Sequence, residues 1–300
     1  MKVLITGVTG YVGQNFLPEL IKKHPDVEIM TVNVSVEEAN SLFPFSQCTH
    51  ISTEEMDKIV HFRPELVYHL ATLSTSRNDY DIIHPMIEAN IEFGVKLLHF
   101  ISITQSVKLF VNIGSFAEYR MGPDKLSDAY LYTATKSAFR HFVDYYSQLS
   151  SFQYITLVPY SLYGGKDTAK KLIDYMRESL TSDIPVKMTK GEQILDFTHV
   201  SDLVSFFILI SDNISPFLDF QRGEEFHIGT GVGTRVRDLA LMIEKVFGKK
   251  CNIEWGGLPY RPLDTMYAVA PVDKNRRLLN WKASVNLMEG LERYKKVHTS

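Results

Sequence analysis

Val3-Leu4-Ile5-Thr6-Gly7-Val8-Thr9-Gly10-Tyr11-Val12-Gly13 is the stretch that decides the fold of this 300-residue chain. A short apolar run, suited to a buried strand, ends in a glycine turn, and a helical pattern follows over residues 11–23. Gly7, Gly10 and Gly13 let the turn tighten, let backbone approach a pyrophosphate, and let the helix pack against the sheet. The helix amino end, at Tyr11 and Val12, then offers free N–H groups and the positive end of its dipole to phosphates. Glycine spacing alone is a weak signal. Between a strand and a helix it points to a dinucleotide site, the alternative being a tight turn that binds nothing.

The same alternation continues outward. Residues 27–34, 66–71, 108–113 and 154–159 read as further strands, with helical patterns over 87–103 and 130–149. This is the order of an α/β, doubly wound parallel sheet, the Rossmann arrangement, whose ligands bind at the carboxyl ends of the strands. After Tyr163-Gly164-Gly165 the rhythm changes: helix-like stretches at 168–181, 202–212 and 235–247 alternate with short strand-like pieces at 185–189, 196–200 and 225–229. The expected division is a dinucleotide-binding domain over 1–165 and a smaller substrate domain over 166–300, with parts of 196–230 returning to the first.

Composition narrows the function classes. A net charge of −3 offers no basic excess for nucleic acid or anionic lipid. The apolar run 203–210 is broken by Ser205 and too short to span a bilayer, and Met1-Lys2 leads directly into a strand, unlike a signal peptide. Cys48 and Cys251 are too far apart for a zinc knuckle or disulfide framework. The expectation is a cytoplasmic protein with no metal, no membrane and no nucleic-acid partner.

At the end of the second strand an acid suits a free ribose 2′-hydroxyl. Asn33 stands there, with no acid until Glu37. An amide can donate to a phosphate without repelling it, so NADP(H) is favoured, NAD(H) remaining possible if Asn33 simply bonds a ribose hydroxyl. Downstream, Tyr132 and Lys136 lie i,i+4 and share a helix face. A nearby ammonium stabilises tyrosinate, so such a phenol can exchange a proton with a substrate oxygen, and Ser115 at the preceding strand end is placed to bond that oxygen. The bland alternative is a pair of helix-surface residues.

Taken together, these motifs resemble the extended short-chain dehydrogenase/reductases, in the nucleotide-sugar epimerase, dehydratase and reductase branch. The likeness is carried by residues 6–13, His69-Leu70-Ala71-Thr72, Asn90, Gly114-Ser115, Tyr132 with Lys136, and Tyr163-Gly164. It continues through Gly191-Glu192-Gln193, Asp196-Phe197, Phe226-His227-Ile228-Gly229, Tyr260-Arg261-Pro262 and Leu279-Asn280-Trp281. The resemblance implies that Lys136 also holds the nicotinamide ribose, that Asn90 belongs to the catalytic helix, and that Leu70, Ala71, Thr72 and Pro159 flank the cofactor. It implies a nucleoside-diphosphate sugar as substrate, with Arg261 gripping the diphosphate unless it merely pairs with Asp264. It also implies a homodimer, for which Phe142, Tyr145, Tyr146 and Leu149 supply apolar surface.

Departures from the family pattern separate the reactions. Dehydratases carry an acidic pair after the catalytic hydroxyl; here Phe116 and Ala117 stand there, and neither transfers a proton. Glu118, displaced from those positions, reads as a strand-end carboxylate facing solvent or a loop N–H. Leu195 and Val158 replace expected arginines, leaving Lys170 and Lys171 as further phosphate candidates or a charged helix face, and Ser161 replaces a substrate-binding Asn. His199 near Asp202 reads as structural. Phe116 and Ser161 then shape the sugar pocket. The expected reaction is reduction of the C4 keto group of a nucleoside-diphosphate 4-keto-6-deoxyhexose, close to the reductases making CDP- or dTDP-linked deoxysugars. A 4-epimerase is the alternative, and a non-enzymatic cofactor sensor a more remote one.

Overall fold

Val3 and Ile5 face one side of a strand and Leu4 the other, and all are fully buried, so this strand requires cover on both faces. The computed structural model, which describes residues 1–167 and 169–299, supplies that cover. The first strands are β1 (Lys2–Thr6), β2 (Glu28–Asn33), β3 (Cys48–Ser52), β4 (Leu66–His69), β5 (Leu109–Ile113) and β6 (Gln153–Pro159). Shorter ones follow: β7 (Ser161–Tyr163), β8 (Val186–Met188), β9 (Ile194–Leu195), β10 (Phe197–His199) and the longer β11 (Glu224–Ile228). Seven of them form one sheet in the order β11-β6-β5-β4-β1-β2-β3, every pairing parallel.

The helices that precede β11 are α1 (Tyr11–Lys23), α2 (Val36–Leu42), α3 (Lys58–Phe62), α4 (Tyr80–Ile87), α5 (Phe93–Thr104), α6 (Leu131–Ser150), α7 (Leu172–Ser179) and α8 (Val200–Asp212). On one face Phe16, Leu17 and Leu20 of α1 and Phe206, Phe207 and Ile210 of α8 pack against Val3, Ile5 and Tyr68. On the other, Leu97, Leu98 and Ile101 of α5 and Phe139 and Val143 of α6 pack against Leu4, Val67 and Phe110. Tyr163, Ile173, Met176, Leu239, Ile243 and Leu291 make a separate cluster in the C-terminal half. Among the described residues no helix is long and apolar enough to cross a membrane.

The expected single helix over 87–103 is instead α4, a π-helical turn (Glu88–Glu92) and α5. Pro85 lies within α4, where it lacks an N–H for the ladder, and the wider turn that follows carries Asn90 inward to a buried position. The expected stretch over 168–181 begins at position 168, which lies outside the described residues; α7 covers its middle.

Phe207 is fully buried, with ring centroids 4.8 Å from Phe16 and 5.3 Å from Tyr68. Tyr68 also donates to the Phe207 carbonyl at 2.8 Å. Phe207→Ala is expected to cost about 3–5 kcal/mol, read as a lowered denaturant midpoint with an unchanged slope.

Candidate active site

Gly7 has φ +73°, and a Cβ there would stand 2.6 Å from the Ala71 nitrogen. At Gly13 a Cβ would stand 2.4 Å from the Gly7 carbonyl oxygen. Glycine is therefore required where β1, the start of α1 and the 70–71 segment meet. Thr6 Oγ1 accepts from the Ala71 N–H at 3.1 Å and pairs with His69 Nδ1 at 2.9 Å. Burial, with the Lys136 charge second, lowers His69 to about 3, so this ring is neutral. Gly10 is the N-cap of α1 and no side chain caps it, leaving the first N–H groups for an anion. The Tyr11 side chain points elsewhere: its hydroxyl donates to the Gly164 carbonyl at 2.8 Å, and the Lys171 ammonium lies 2.8 Å from its ring centre. Val12 packs against the core.

Asn33 ends β2, where the parallel register Thr6↔Val32 sets it beside the glycine loop. Its Nδ2 donates to Thr31 Oγ1 at 2.6 Å, and the buried atom left without a partner is the acceptor Oδ1.

Tyr132 and Lys136 share a face of α6, with Nζ 5.9 Å from the phenol ring centre. Lys136 is 4% exposed and has no carboxylate within ion-pair distance among the described residues. Burial lowers Lys136 to about 8. The phenol of Tyr132 is not lowered as the sequence suggested; burial, then the Glu118 charge, push it up to about 12. The Thr72 and Ser74 hydroxyls, on the strip leaving β4, act in the opposite sense and lower it. Ser74 was not anticipated, because nothing local to residue 74 announces a contact with residue 132.

Asn90 lies on the π-helical turn and not on the helix bearing Tyr132. Its Oδ1 accepts from Thr72 Oγ1 at 3.0 Å and Leu73 N at 2.7 Å, while Nδ2 reaches Leu73 O at 3.1 Å, Met86 Sδ and Thr135 Oγ1 at 2.9 Å. Every polar atom of the amide is engaged. It joins the 72–73 strip to α6 and so places Thr72 and Tyr132 together.

Ser115 caps a short turn at the end of β5, its Oγ accepting from Ala117 N at 3.3 Å. Glu118 is fully buried, which corrects the solvent-facing reading, and accepts from the Ser115 N–H at 2.5 Å. Arg140 reaches Glu118 at 2.9 and 3.2 Å and also pairs with Glu225, which accepts from the Tyr119 hydroxyl at 2.6 Å. Burial pushes the Glu225 carboxyl up, but His227, Arg140 and Tyr119 outweigh it and hold it at about 2. The Ser115-x-x-Glu118 spacing of a capping box was a local signal for this contact.

Phe116 stacks on Tyr160 with centroids 5.8 Å apart. Pro159 and Ser161 are half-buried at the end of β6 and in β7. Arg261 is exposed and lies 5.7 Å over the ring of Tyr130, the residue capping α6. Tyr130 donates to Asp264 at 2.8 Å, and Arg261 makes no ion pair with Asp264. Lys170 and Lys171 pair with Glu178 and Asp167 around a separate cavity of about 180 Å³. His199 is the N-cap of α8, bonding Ser201, as a structural histidine would.

The residues fit a nicotinamide dinucleotide: a side-chain-free cradle, an uncapped helix start, a buried lysine without a carboxylate, and an orphaned amide oxygen beside them. Sheet and site define a Rossmann-type dinucleotide enzyme. The chain belongs to the NAD dependent epimerase/dehydratase family, whose model matches residues 3–229. It is 26% identical to CDP-abequose synthase of Salmonella typhimurium, over 97% of this chain and 96% of that protein. Among solved structures it is similar to UDP-glucuronic acid 4-epimerase of Bacillus cereus in complex with UDP-glucuronic acid and NAD, with TM-score 0.86, 21% identity and 99% and 98% of the two chains covered. It is also similar to dTDP-glucose 4,6-dehydratase of Streptomyces venezuelae, with TM-score 0.84, 17% identity and 100% and 97% covered.

Glu118→Gln keeps the shape but leaves buried Arg140 with one carboxylate partner fewer. The expected cost is about 3 kcal/mol, measured by chemical denaturation. A variant as stable as the parent contradicts the role given to this network.

Proposed function

We propose that this chain reduces the C4 keto group of a nucleoside-diphosphate 4-keto-6-deoxyhexose, using a reduced nicotinamide dinucleotide. When bound, that cofactor supplies the hydride. Tyr132 gives the proton to O4 as the carbonyl carbon becomes tetrahedral. Ser115, whose Oγ accepts from Ala117 N, keeps its own O–H to donate to the same oxygen. Lys136 lies beside the phenol as a buried cation that can hold a ribose hydroxyl and steady the charge left after proton transfer. Asn90 positions this group without touching substrate. Arg261, exposed above Tyr130 with no carboxylate partner among the described residues, is assigned to the diphosphate.

The observation that carries the reading is the pair Phe116 and Ala117 after Ser115. With Tyr132 and Lys136 intact, neither residue at 116 and 117 able to transfer a proton, and Glu118 held by Ser115 N–H and Arg140, the site is equipped to move one hydride and one proton, not to eliminate water. The similarity to a CDP-abequose synthase over nearly the whole chain supports a deoxysugar nucleotide. A second reading, a 4-epimerase, is favoured by the orphaned acceptor of Asn33, which suits a retained NAD. The smaller C-terminal half, residues 166–300, is assigned to substrate binding. Exposed Phe142, Tyr145 and Leu149 on α6 support a homodimer, whereas Tyr146 is partly buried in the chain's own core.

Incubation with NADH or NADPH and a panel of nucleotide 4-keto-6-deoxysugars, followed by absorbance, is expected to show cofactor oxidation with at least one sugar. Tyr132→Phe is expected to lower that rate by at least ~100-fold with cofactor affinity unchanged. Absence of oxidation across the panel overturns the reductase reading, and undiminished turnover in the variant removes Tyr132 as the acid.

A further inference from the structure

We infer that Arg140 is a positioning residue: through Glu118 it clamps the turn bearing Ser115 to α6 and so sets the spacing between the Ser115 hydroxyl and the Tyr132 phenol. The inference rests on the reductase reading above and deepens it. Arg140 lies one helical turn past Lys136 and two past Tyr132, so clamp and proton donor share one rigid element. Its guanidinium reaches both Glu118 oxygens, Nε bonding Oε1 at 2.9 Å and Nη2 bonding Oε2 at 3.2 Å. A planar fork suits a carboxylate in this way, and a single ammonium does not reproduce it. Glu118 Oε2 also accepts from the Ser115 N–H at 2.5 Å. The path from α6 to Ser115 is therefore two hydrogen bonds long, through a carboxylate that is fully buried.

The same guanidinium pairs through Nη1 with Glu225, which accepts from the Tyr119 hydroxyl at 2.6 Å. One cation thus holds the turn at both ends, Ser115 and Tyr119. Backbone bonds tie it as well, Ser127 N donating to Glu118 O at 2.7 Å and Ala129 N to Ala117 O at 3.0 Å. Those ties precede the start of α6, whereas Arg140 lies beyond Tyr132. A turn tied at one point can pivot; tied on both sides of Tyr132, it cannot. Gly114 supplies the room, since a Cβ there would stand 2.5 Å from Glu118 Oε2 and 2.8 Å from Arg140 Nη2. The phenol and the serine hydroxyl must meet at one substrate oxygen, and a misplacement of about 1 Å can cost about 100-fold in rate.

A double-mutant cycle on kcat tests the clamp, using the sugar of the 4-keto-6-deoxy panel that the parent reduces fastest. Arg140→Met is expected to lower kcat by at least ~10-fold with KM within ~3-fold of the parent. In a Ser115→Ala background the same change is expected to lower kcat by no more than ~2-fold, because no hydroxyl remains to be positioned. Arg140→Met leaves Glu118 buried without its cation. The pair Glu118→Leu with Arg140→Met, which removes both charges, is therefore carried through the same cycle. A thermal melt identifies the folded variants. Hydrogen–deuterium exchange without substrate gives a second readout: in the folded variants the amides of 115–119 are expected to exchange at least ~10-fold faster, and those of 131–150 at the parental rate. An equal loss of kcat in both backgrounds overturns the inference, as does unchanged exchange over 115–119. A parent that reduces no sugar of the panel overturns the reductase reading, and the exchange alone then decides whether Arg140 holds the Ser115 turn.

Discussion

The contact on which the site depends is backbone against backbone. Gly7 presses on Ala71 so closely that a Cβ would stand 2.6 Å from its nitrogen. Because the two chains can approach this far, the ends of β1 and β4 abut, and Thr6 Oγ1 bonds the Ala71 N–H across the junction. One side of the junction runs into the uncapped start of α1, which is suited to phosphates. The other runs through the 72–74 strip, whose Thr72 and Ser74 hydroxyls face the phenol of Tyr132 and act to lower its pKa. A single close approach thus ties the cofactor cradle to the proton donor, and any side chain at position 7 would separate them.

Buried polar groups hold the rest in place, and they do so because their hydrogen bonds are almost fully met. Asn90 satisfies both ends of its amide between the 72–73 strip and α6, and Glu118 receives Ser115 N–H and Arg140 in a site with no water access. In a medium of low dielectric a satisfied network is rigid, whereas one missing partner is costly. Asn33 Oδ1 is one of several buried atoms that break this pattern among the described residues, and Asn112 Oδ1 and Asn275 Oδ1 are others.

Much of the fold was legible because its signals are local. A buried strand, three glycines and an amphipathic helix stand together in residues 3–23, and Tyr132 and Lys136 announce themselves by helical spacing. β3 escaped notice because, as an edge strand, it alternates Cys48, Thr49, His50, Ile51 and Ser52 without a strong apolar run. Contacts between distant segments were hidden as well. Asn33 Nδ2 bonds Thr31 Oγ1, which in turn meets His50 Nδ1 on the neighbouring strand, and His50 Nε2 meets the carbonyl of Phe43. Residue type at position 33 was visible; the partners of its amide are a tertiary property. The phenol's rise to about 12 has the same origin, since helical spacing places a lysine near it but says nothing of burial or of Glu118.

The central claim is that hydride moves once, from cofactor to sugar C4, and stays there. The most direct measurement uses a reduced dinucleotide carrying deuterium at nicotinamide C4, with the product sugar examined by NMR. The account predicts deuterium at sugar C4 and one oxidised dinucleotide formed for each product molecule. A sugar inverted at C4 that carries no deuterium, formed without net cofactor oxidation, would contradict it.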